Sequence, residues 1–158
     1  MEKLLTPYEL KNLNEDAIKE LVDEIKGNYN PKAISPFQLS ENIDVIAQLI
    51  QLFDYMAAKC KSEYAIKDLE CKYAENQALK ELRQAWDKDT QGAPPAIDYF
   101  KACAANLVKE QRREANKLNE YAMNFKAAAD SYQERIAAIK YKINAIAIEE
   151  GRRNGIWR

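Results

Sequence analysis

Few residues in this chain could carry out catalysis or hold a metal ion. Histidine, the commonest general base and zinc ligand, is absent from all 158 positions. The three cysteines, Cys60, Cys71 and Cys103, lack the Cys-x-x-Cys spacing of structural zinc sites. No Gly-x-Ser-x-Gly motif, phosphate-binding glycine loop or Rossmann fingerprint occurs. We therefore expect a non-enzymatic protein with no catalytic residues, no metal and no cofactor.

An acidic pair, Asp87 and Asp89, precedes a glycine and proline break at residues 92–95. Carboxylates at the tip of a helical hairpin can enter the channel of another enzyme and hold a metal ion there. The simpler interpretation is a solvated polar turn. Both interpretations place the pair on the surface, where it is a candidate partner-binding site.

Basic residues cluster twice in the C-terminal half. Lys109, Arg112 and Arg113 are interleaved with glutamates, which is typical of the solvent face of a long helix. The tail combines arginine with tryptophan, two residue types enriched at binding hot spots, in Arg152, Arg153, Trp157 and Arg158. The plainer interpretation is that Ile156 and Trp157 fold back against the first helix or the linker and close the base. Tyr99 and Tyr121 could stack on bases or contact a protein. Since the formal net charge is −1, no overall field attracts nucleic acid, and a protein partner is the preferred hypothesis.

Start and stop signals divide the chain into three predicted helices. Thr6-Pro7-Tyr8-Glu9 and Ser35-Pro36-Phe37-Gln38 both fit a capping box with proline at the first helical position. No glycine or proline lies between Pro36 and Gly92, and a second uninterrupted run ends at Gly151. The sequence predicts a single helical domain, residues 1–158, with helix 1 at 7–27, helix 2 at 36–90, a tip loop at 91–95, helix 3 at 96–150 and a tail at 151–158.

Apolar residues in both long helices recur at alternating steps of four and three, the repeat of a coiled coil. On helix 3 the repeat runs from Ala115 to Ile146, and on helix 2 it runs through Leu39, Ile43, Ile46, Ile50, Phe53, Ala57, Cys60 and Tyr64. Near Lys67 we expect the apolar stripe of helix 2 to switch to Ile66, Leu69, Tyr73, Leu79, Leu82 and Trp86. Antiparallel alignment of the two repeats places Phe53 opposite Ile136.

The pattern predicts an all-α fold, a long antiparallel coiled-coil helical hairpin with a short N-terminal helix packed on its open end. This arrangement has a three-helix base and a two-helix stalk. We expect helix 1 to cover a second apolar set at the open end, which consists of Val45, Leu49, Leu52, Met56, Ala138 and Ala145. The thin stalk, residues 65–118, would then bind a partner or form a homodimer with a second copy.

The leading functional hypothesis is a protein–protein interaction module that acts as an adaptor, assembly factor or inhibitor, including an inhibitor encoded by a phage or mobile element. It would present helix faces, the tip or the tail to a larger protein or complex. Two alternatives are a nucleic-acid-associated factor that binds through helix 3 and the tail, and a self-assembling structural coiled coil. The odd number of cysteines and the absence of a long apolar run predict a cytoplasmic protein without a membrane span.

Overall fold

The computed structural model describes residues 15–86 and 92–153, and over these ranges the chain is helical without any strand. The helices are α1 (Glu15–Gly27), α2 (Pro36–Gln84), α3 (Ile97–Leu107) and α4 (Lys109–Arg153). The predicted all-α class is therefore confirmed. The start of predicted helix 1, the acidic pair at 87 and 89, and tail residues 154–158 lie outside the described residues.

The long C-terminal helix, which we expected to be uninterrupted over 96–150, is divided at Val108. This buried residue adopts φ −101° and ψ 10°, which interrupts the helix between α3 and α4. Helical bonding resumes at once, since the Arg112 N–H donates to the Val108 carbonyl at 3.0 Å. Buried residues before the break are four apart, at Phe100, Ala104 and Val108, whereas the following ones alternate between four and three. The break marks this change of period.

Two helix ends also differ from the predicted bounds. α2 ends at Gln84 rather than at residue 90, and Ala85 and Trp86 follow it as non-helical residues. α4 continues through Gly151 to Arg153, although we expected the glycine to end it. One glycine in a helix costs only about 1 kcal/mol, which the long helix tolerates.

The start of α2 is held by the predicted capping box. The Gln38 N–H donates to the Ser35 Oγ at 3.2 Å, and the Ser35 N–H donates to the Gln38 Oε1 at 3.4 Å. The Gln38 Oε1 also accepts the Ile34 N–H at 3.3 Å. Because these side chains satisfy backbone donors that have no partner within the helix, the first turn begins at Pro36.

A buried asparagine fixes the connection between α1 and α2. Asn42 is 2% exposed, and its Oδ1 accepts the Asn30 N–H at 2.8 Å. Its Nδ2 donates to the Asn30 carbonyl at 2.7 Å. This pairing satisfies both ends of the buried amide, so that the connecting segment is held in one conformation on α2.

The chain forms two compact units, and the first contains Met1–Ala57 and Asn124–Arg158. Its core joins Ile18 and Ile25 of α1 to the second apolar set of α2, which consists of Val45, Leu49, Leu52 and Met56. α1 therefore covers this set as predicted. Ala138 and Ala145, which we expected under the same cover, are exposed.

Aromatic stacking joins α2 to α4 within the first unit. The Phe53 ring stacks on Tyr132 with centroids 5.8 Å apart and on Phe125 at 6.2 Å. Tyr132 lies about one helical turn before Ile136, the predicted partner of Phe53, so that the pairing with Ile136 stays a prediction. The Arg135 guanidinium lies 5.4 Å from the Tyr132 ring centroid, a cation–π contact at the edge of this cluster.

The second unit, Ala58–Met123, has a core of mostly small side chains. Its buried residues are Cys60, Cys71, Phe100, Ala104, Val108, Ala115 and Ala122. On α2 the four–three repeat continues past Lys67 through residues that are buried or half-buried, namely Cys71, Ala74 and Ala78. The predicted switch of stripe is thus wrong for Ile66, Leu69 and Tyr73, which are 56%, 66% and 74% exposed. Leu79, Leu82 and Trp86 are half-buried.

The repeat on α4 agrees with the prediction along its whole length. Every member of the series is buried or half-buried, and the series is Ala115, Leu118, Ala122, Phe125, Ala129, Tyr132, Ile136, Ile139, Ile143 and Ile146. With Ala115 at heptad position a and Leu118 at position d, positions c and f lie on the opposite side of this helix. The residues at these two positions are exposed along the series. α4 therefore has one packed face and one free face.

Two leucines of α2 provide a matched test of this burial pattern. Leu52 is 2% exposed in the core of the first unit, whereas Leu69 is 66% exposed. We expect Leu52→Ala to lower the free energy of unfolding by about 2–5 kcal/mol because it leaves a cavity. Leu69→Ala should change it by less than about 0.5 kcal/mol. Urea unfolding followed by circular dichroism measures both, and equal losses would contradict the assigned core.

An ion-pair network between α2 and α4 of the first unit predicts a pH dependence. The Lys126 Nζ lies 3.0 Å from the Asp54 Oδ1 and 3.2 Å from the Asp130 Oδ1. Hydrogen bonds to Asp54 and then to Asp130 raise the pKa of Lys126 above its ordinary value. A raised lysine pKa stabilises the fold below the unfolded pKa, and this contribution disappears as the pH rises through the folded pKa.

We therefore expect Lys126→Gln to lower the urea midpoint at about pH 7, and the difference from the unaltered protein to shrink only as the pH rises above the ordinary lysine pKa of about 10.4. Lys140→Gln is the control, since this exposed lysine of the same helix makes no ion pair within the described residues. A difference that persists at the alkaline end, or that the control reproduces, would count against the pair.

Candidate protein-interaction surfaces

The most exposed apolar face of the second unit lies on α2. We call Ile66, Leu69 and Tyr73 the α2 outer stripe. Steps of three and four residues place them on one side of the helix, about 160–220° from Cys71 at about 100° per residue. Cys71 faces the core, so the stripe points away from it. No described residue of the second unit covers these side chains, which are all more than half exposed.

Most of the charged side chains beside the stripe form ion pairs within the second unit. The Lys72 Nζ lies 2.7 Å from the Asp68 Oδ2, and this hydrogen bond raises the pKa of Lys72 above its ordinary value. The Lys67 Nζ lies 3.6 Å from the Glu114 Oε2. Glu63 and Glu70, one heptad apart, are exposed along one edge of the stripe. The surface is thus an apolar centre with one acidic edge.

The basic cluster on α4 is neutralised by neighbouring carboxylates. The Arg112 Nη2 forms an ion pair with the Glu75 Oε2 of α2, and the Arg113 Nη1 lies 2.6 Å from the Glu110 Oε1. Lys109 remains exposed. The three residues therefore do not form a continuous cationic surface of the kind that follows a phosphate backbone.

An ordered aromatic group surrounds the proline break. The ring of Trp86 meets that of buried Phe100 edge to face at 5.7 Å, and its Nε1–H donates to the Gly92 carbonyl at 3.2 Å. The Tyr99 ring meets the same Phe100 edge to face at 5.9 Å and is 56% exposed. An open cleft of about 260 Å³ lies beside this group. Asp87 and Asp89 lie outside the described residues, so their role stays a prediction.

The other predicted site residues occupy separate places. Tyr121 is 52% exposed on α4 of the second unit. Arg152 and Arg153 are exposed in the last turn of α4, where cations interact favourably with the helix dipole. Trp157 and Arg158 lie outside the described residues. Exposure permits partner binding at Tyr99, Tyr121 and the two arginines, and their roles stay predictions.

Sequence reasoning missed the α2 outer stripe because it assigned these residues to the packed face. Two apolar series compete on α2 beyond Lys67, and the larger side chains suggested burial. The signal in favour of the other series was the four–three repeat, which resumes after Lys67 in the same register through Cys71, Ala74 and Ala78. Its small residues match Ala115 and Ala122 of α4, which are also buried in the second unit.

Comparisons with known proteins identify no relative. No protein-family model matches the chain, and no curated protein and no solved structure is significantly similar to it. Among the described residues, no group of three or more Cys, Asp and Glu side chains is arranged to hold a metal ion. None of the described helices combines the length and apolarity needed to cross a membrane.

Proposed function

We propose that this protein is a non-enzymatic interaction module, an adaptor, assembly factor or inhibitor, that binds a larger protein through the α2 outer stripe. The observation that carries the proposal is the exposure of Ile66, Leu69 and Tyr73 on the side of α2 opposite its packed face. Large apolar side chains at steps of three and four are the anchors by which one helix recognises a groove or another helix.

The composition of the stripe suits binding. Tyr73 is 74% exposed and offers a large contact area with few rotatable bonds. Ile66 and Leu69 are aliphatic neighbours that a partner would remove from water. Burial of their surface would stabilise the complex by about 25 cal/mol for each Å² of apolar area. Paired charges around them provide a polar rim.

The acidic edge indicates the chemistry of the partner. Glu63 and Glu70 are exposed along one edge of the stripe. A partner surface with an apolar strip and lysine or arginine beside it would be complementary to both features. Complementary charge would also raise the association rate at low ionic strength.

We propose in addition that the helices form an antiparallel coiled-coil hairpin with α1 on its open end. Contacts inside each unit support this arrangement, because residues later in α2 contact residues earlier in α4. In the first unit Ala33, just before α2, contacts Lys142, and Asp54 contacts Lys126. In the second unit Lys67 contacts Glu114, and Glu75 contacts Arg112. The four–three burial along α4 also supports it.

Small-angle X-ray scattering tests the hairpin. A 49-residue helix is about 74 Å long, and a rod of that length has a radius of gyration of about 21 Å. A compact globule of 158 residues has a radius of gyration of about 15 Å. We expect a value above about 20 Å at low protein concentration, and a value near the globular one would contradict the hairpin.

The interaction function is tested by comparing two triple variants in native lysate of the source cells. The stripe variant carries Ile66→Ser, Leu69→Ser and Tyr73→Ser. The control carries Asn116→Ser, Lys117→Ser and Glu120→Ser, three exposed residues on α4 of the same unit. A partner recovered with the unaltered protein is then purified, and its affinity for all three proteins is measured by calorimetry.

We expect the stripe variant to bind at least about tenfold more weakly because the apolar anchors are lost. The control should bind within about twofold of the unaltered protein, and circular dichroism should show equal helix content in all three. Equal affinity of the stripe variant, or recovery of nucleic acid alone in a salt-sensitive manner, would contradict the proposal.

A further inference from the structure

A second exposed apolar face lies on α4 within the first unit. We call Ala138, Tyr141, Ala145 and Ile148 the α4 outer stripe. Steps of three and four place them about 140–220° from half-buried Ile143, so they point away from the packed face. Tyr141 is 79% and Ile148 is 52% exposed, and both alanines are exposed. No described residue of the first unit covers this stripe.

The stripe is complementary to itself when one copy is reversed. Small and large residues alternate along it, and they are spaced symmetrically about Ile143. An antiparallel second copy with its Ile143 at the same level places Tyr141 opposite Ala145 and Ile148 opposite Ala138. Each large side chain then meets a small one, which allows two helices to interdigitate closely.

Charges at the ends of the stripe follow the same symmetry. Glu134 precedes Ala138 by four residues, and Arg152 follows Ile148 by four. Both are exposed and continue the outer face. The antiparallel register places Glu134 of each copy opposite Arg152 of the other. Arg135 and Glu149 lie beside the stripe on one flank of α4, and Arg135 of each copy meets Glu149 of the other. Because each of the two pairings occurs twice, the dimer gains four pairs of opposite charges.

A parallel arrangement lacks this complementarity. It would place Tyr141 against Tyr141 and Ala145 against Ala145, and it would bring Glu134 near Glu134 and Arg152 near Arg152. Like charges directly opposite one another disfavour such a pair. In the antiparallel arrangement Lys142 lies on the same flank as Arg135 and Glu149, close to the two-fold axis, where it would face Lys142 of the second copy. Its Nζ donates to the Ala33 carbonyl at 3.2 Å in its own unit, which holds the ammonium away from the axis.

We propose that two copies of this chain form an antiparallel, two-fold symmetric dimer through the α4 outer stripe and its charged ends. The contact runs from Glu134 to Arg152, about 27 Å of helix. One helix per copy buries on the order of 1,000 Å² in total, which lies at the lower end for specific interfaces. We therefore expect a dissociation constant in the micromolar range, so that the fraction of dimer rises with protein concentration. The dimer uses a different surface from the α2 outer stripe and stands independently of partner binding.

Sedimentation equilibrium of the full chain over about 1–300 µM tests the dimer. The weight-average mass should rise from 18.2 kDa toward twice that value. Glu134→Arg and Arg152→Glu, each alone, should weaken dimerisation at least about tenfold because they create like-charge contacts. The double variant Glu134→Arg/Arg152→Glu should recover most of the affinity, because the exchanged charges pair again across the two-fold axis.

A steric variant tests the same surface without charge. Ala145→Trp should abolish the dimer because it fills the space that receives Tyr141 of the second copy. Ala127→Trp is the matched control, since Ala127 is an exposed alanine on the outer face one heptad before Glu134. Circular dichroism should show both variants to be as helical as the unaltered protein.

Three results would overturn the proposal. The first is a monomer throughout the concentration range. The second is failure of the charge exchange to restore dimerisation that both single variants weaken, since a two-fold antiparallel contact requires that rescue. The third is a dimer that survives Ala145→Trp but is lost when Ile66, Leu69 and Tyr73 are changed to serine. That result would assign self-association to α2 instead.

Discussion

Burial of one face of each long helix at alternating steps of four and three is the constraint on which the rest of the structure depends. The series on α4 from Ala115 to Ile146 is buried or half-buried without exception. Each helix then has one side committed to packing, and every other side chain is placed relative to it. The two outer stripes follow directly, because their residues lie about half a turn away from the packed face.

The two units meet this constraint with different side chains. The first unit uses large ones, including the stacked rings of Phe53, Phe125 and Tyr132, and has α1 to cover the remaining apolar face of α2. The second unit uses small ones such as Cys71, Ala104 and Ala115. Small side chains let helices approach closely but bury little apolar area per residue. Its large apolar residues on α2 are consequently available to a partner.

Charged residues of the two units are placed differently with respect to their neighbours. The arginines that suggested nucleic-acid binding are paired with Glu75 and Glu110. Exposed pairs of this kind contribute little stability, and they place a carboxylate beside each of these arginines. The charges at Glu134 and Arg152 differ, because they lie at the ends of an apolar stripe where opposite charge on a second copy can meet them.

Local sequence determined the start of α2 and the packed face of α4, because capping residues and helical periodicity act between neighbours in the chain. The capping box at Ser35 and the outward positions of Tyr99 and Tyr121 could be predicted in this way. The pairing of Arg112 with Glu75 could not, since the two residues are 37 positions apart.

Only the tertiary structure decided which of two apolar series on α2 is buried beyond Lys67. Both the series through Cys71 and the series through Leu69 have helical spacing, so periodicity alone cannot choose between them. Ala115 and Ala122 of α4 are buried in the same unit, and small side chains on both helices let the helices approach too closely for the larger series to fit between them. Packing against α4 therefore exposed the larger side chains, and the same selection created the surface that we assign to partner binding.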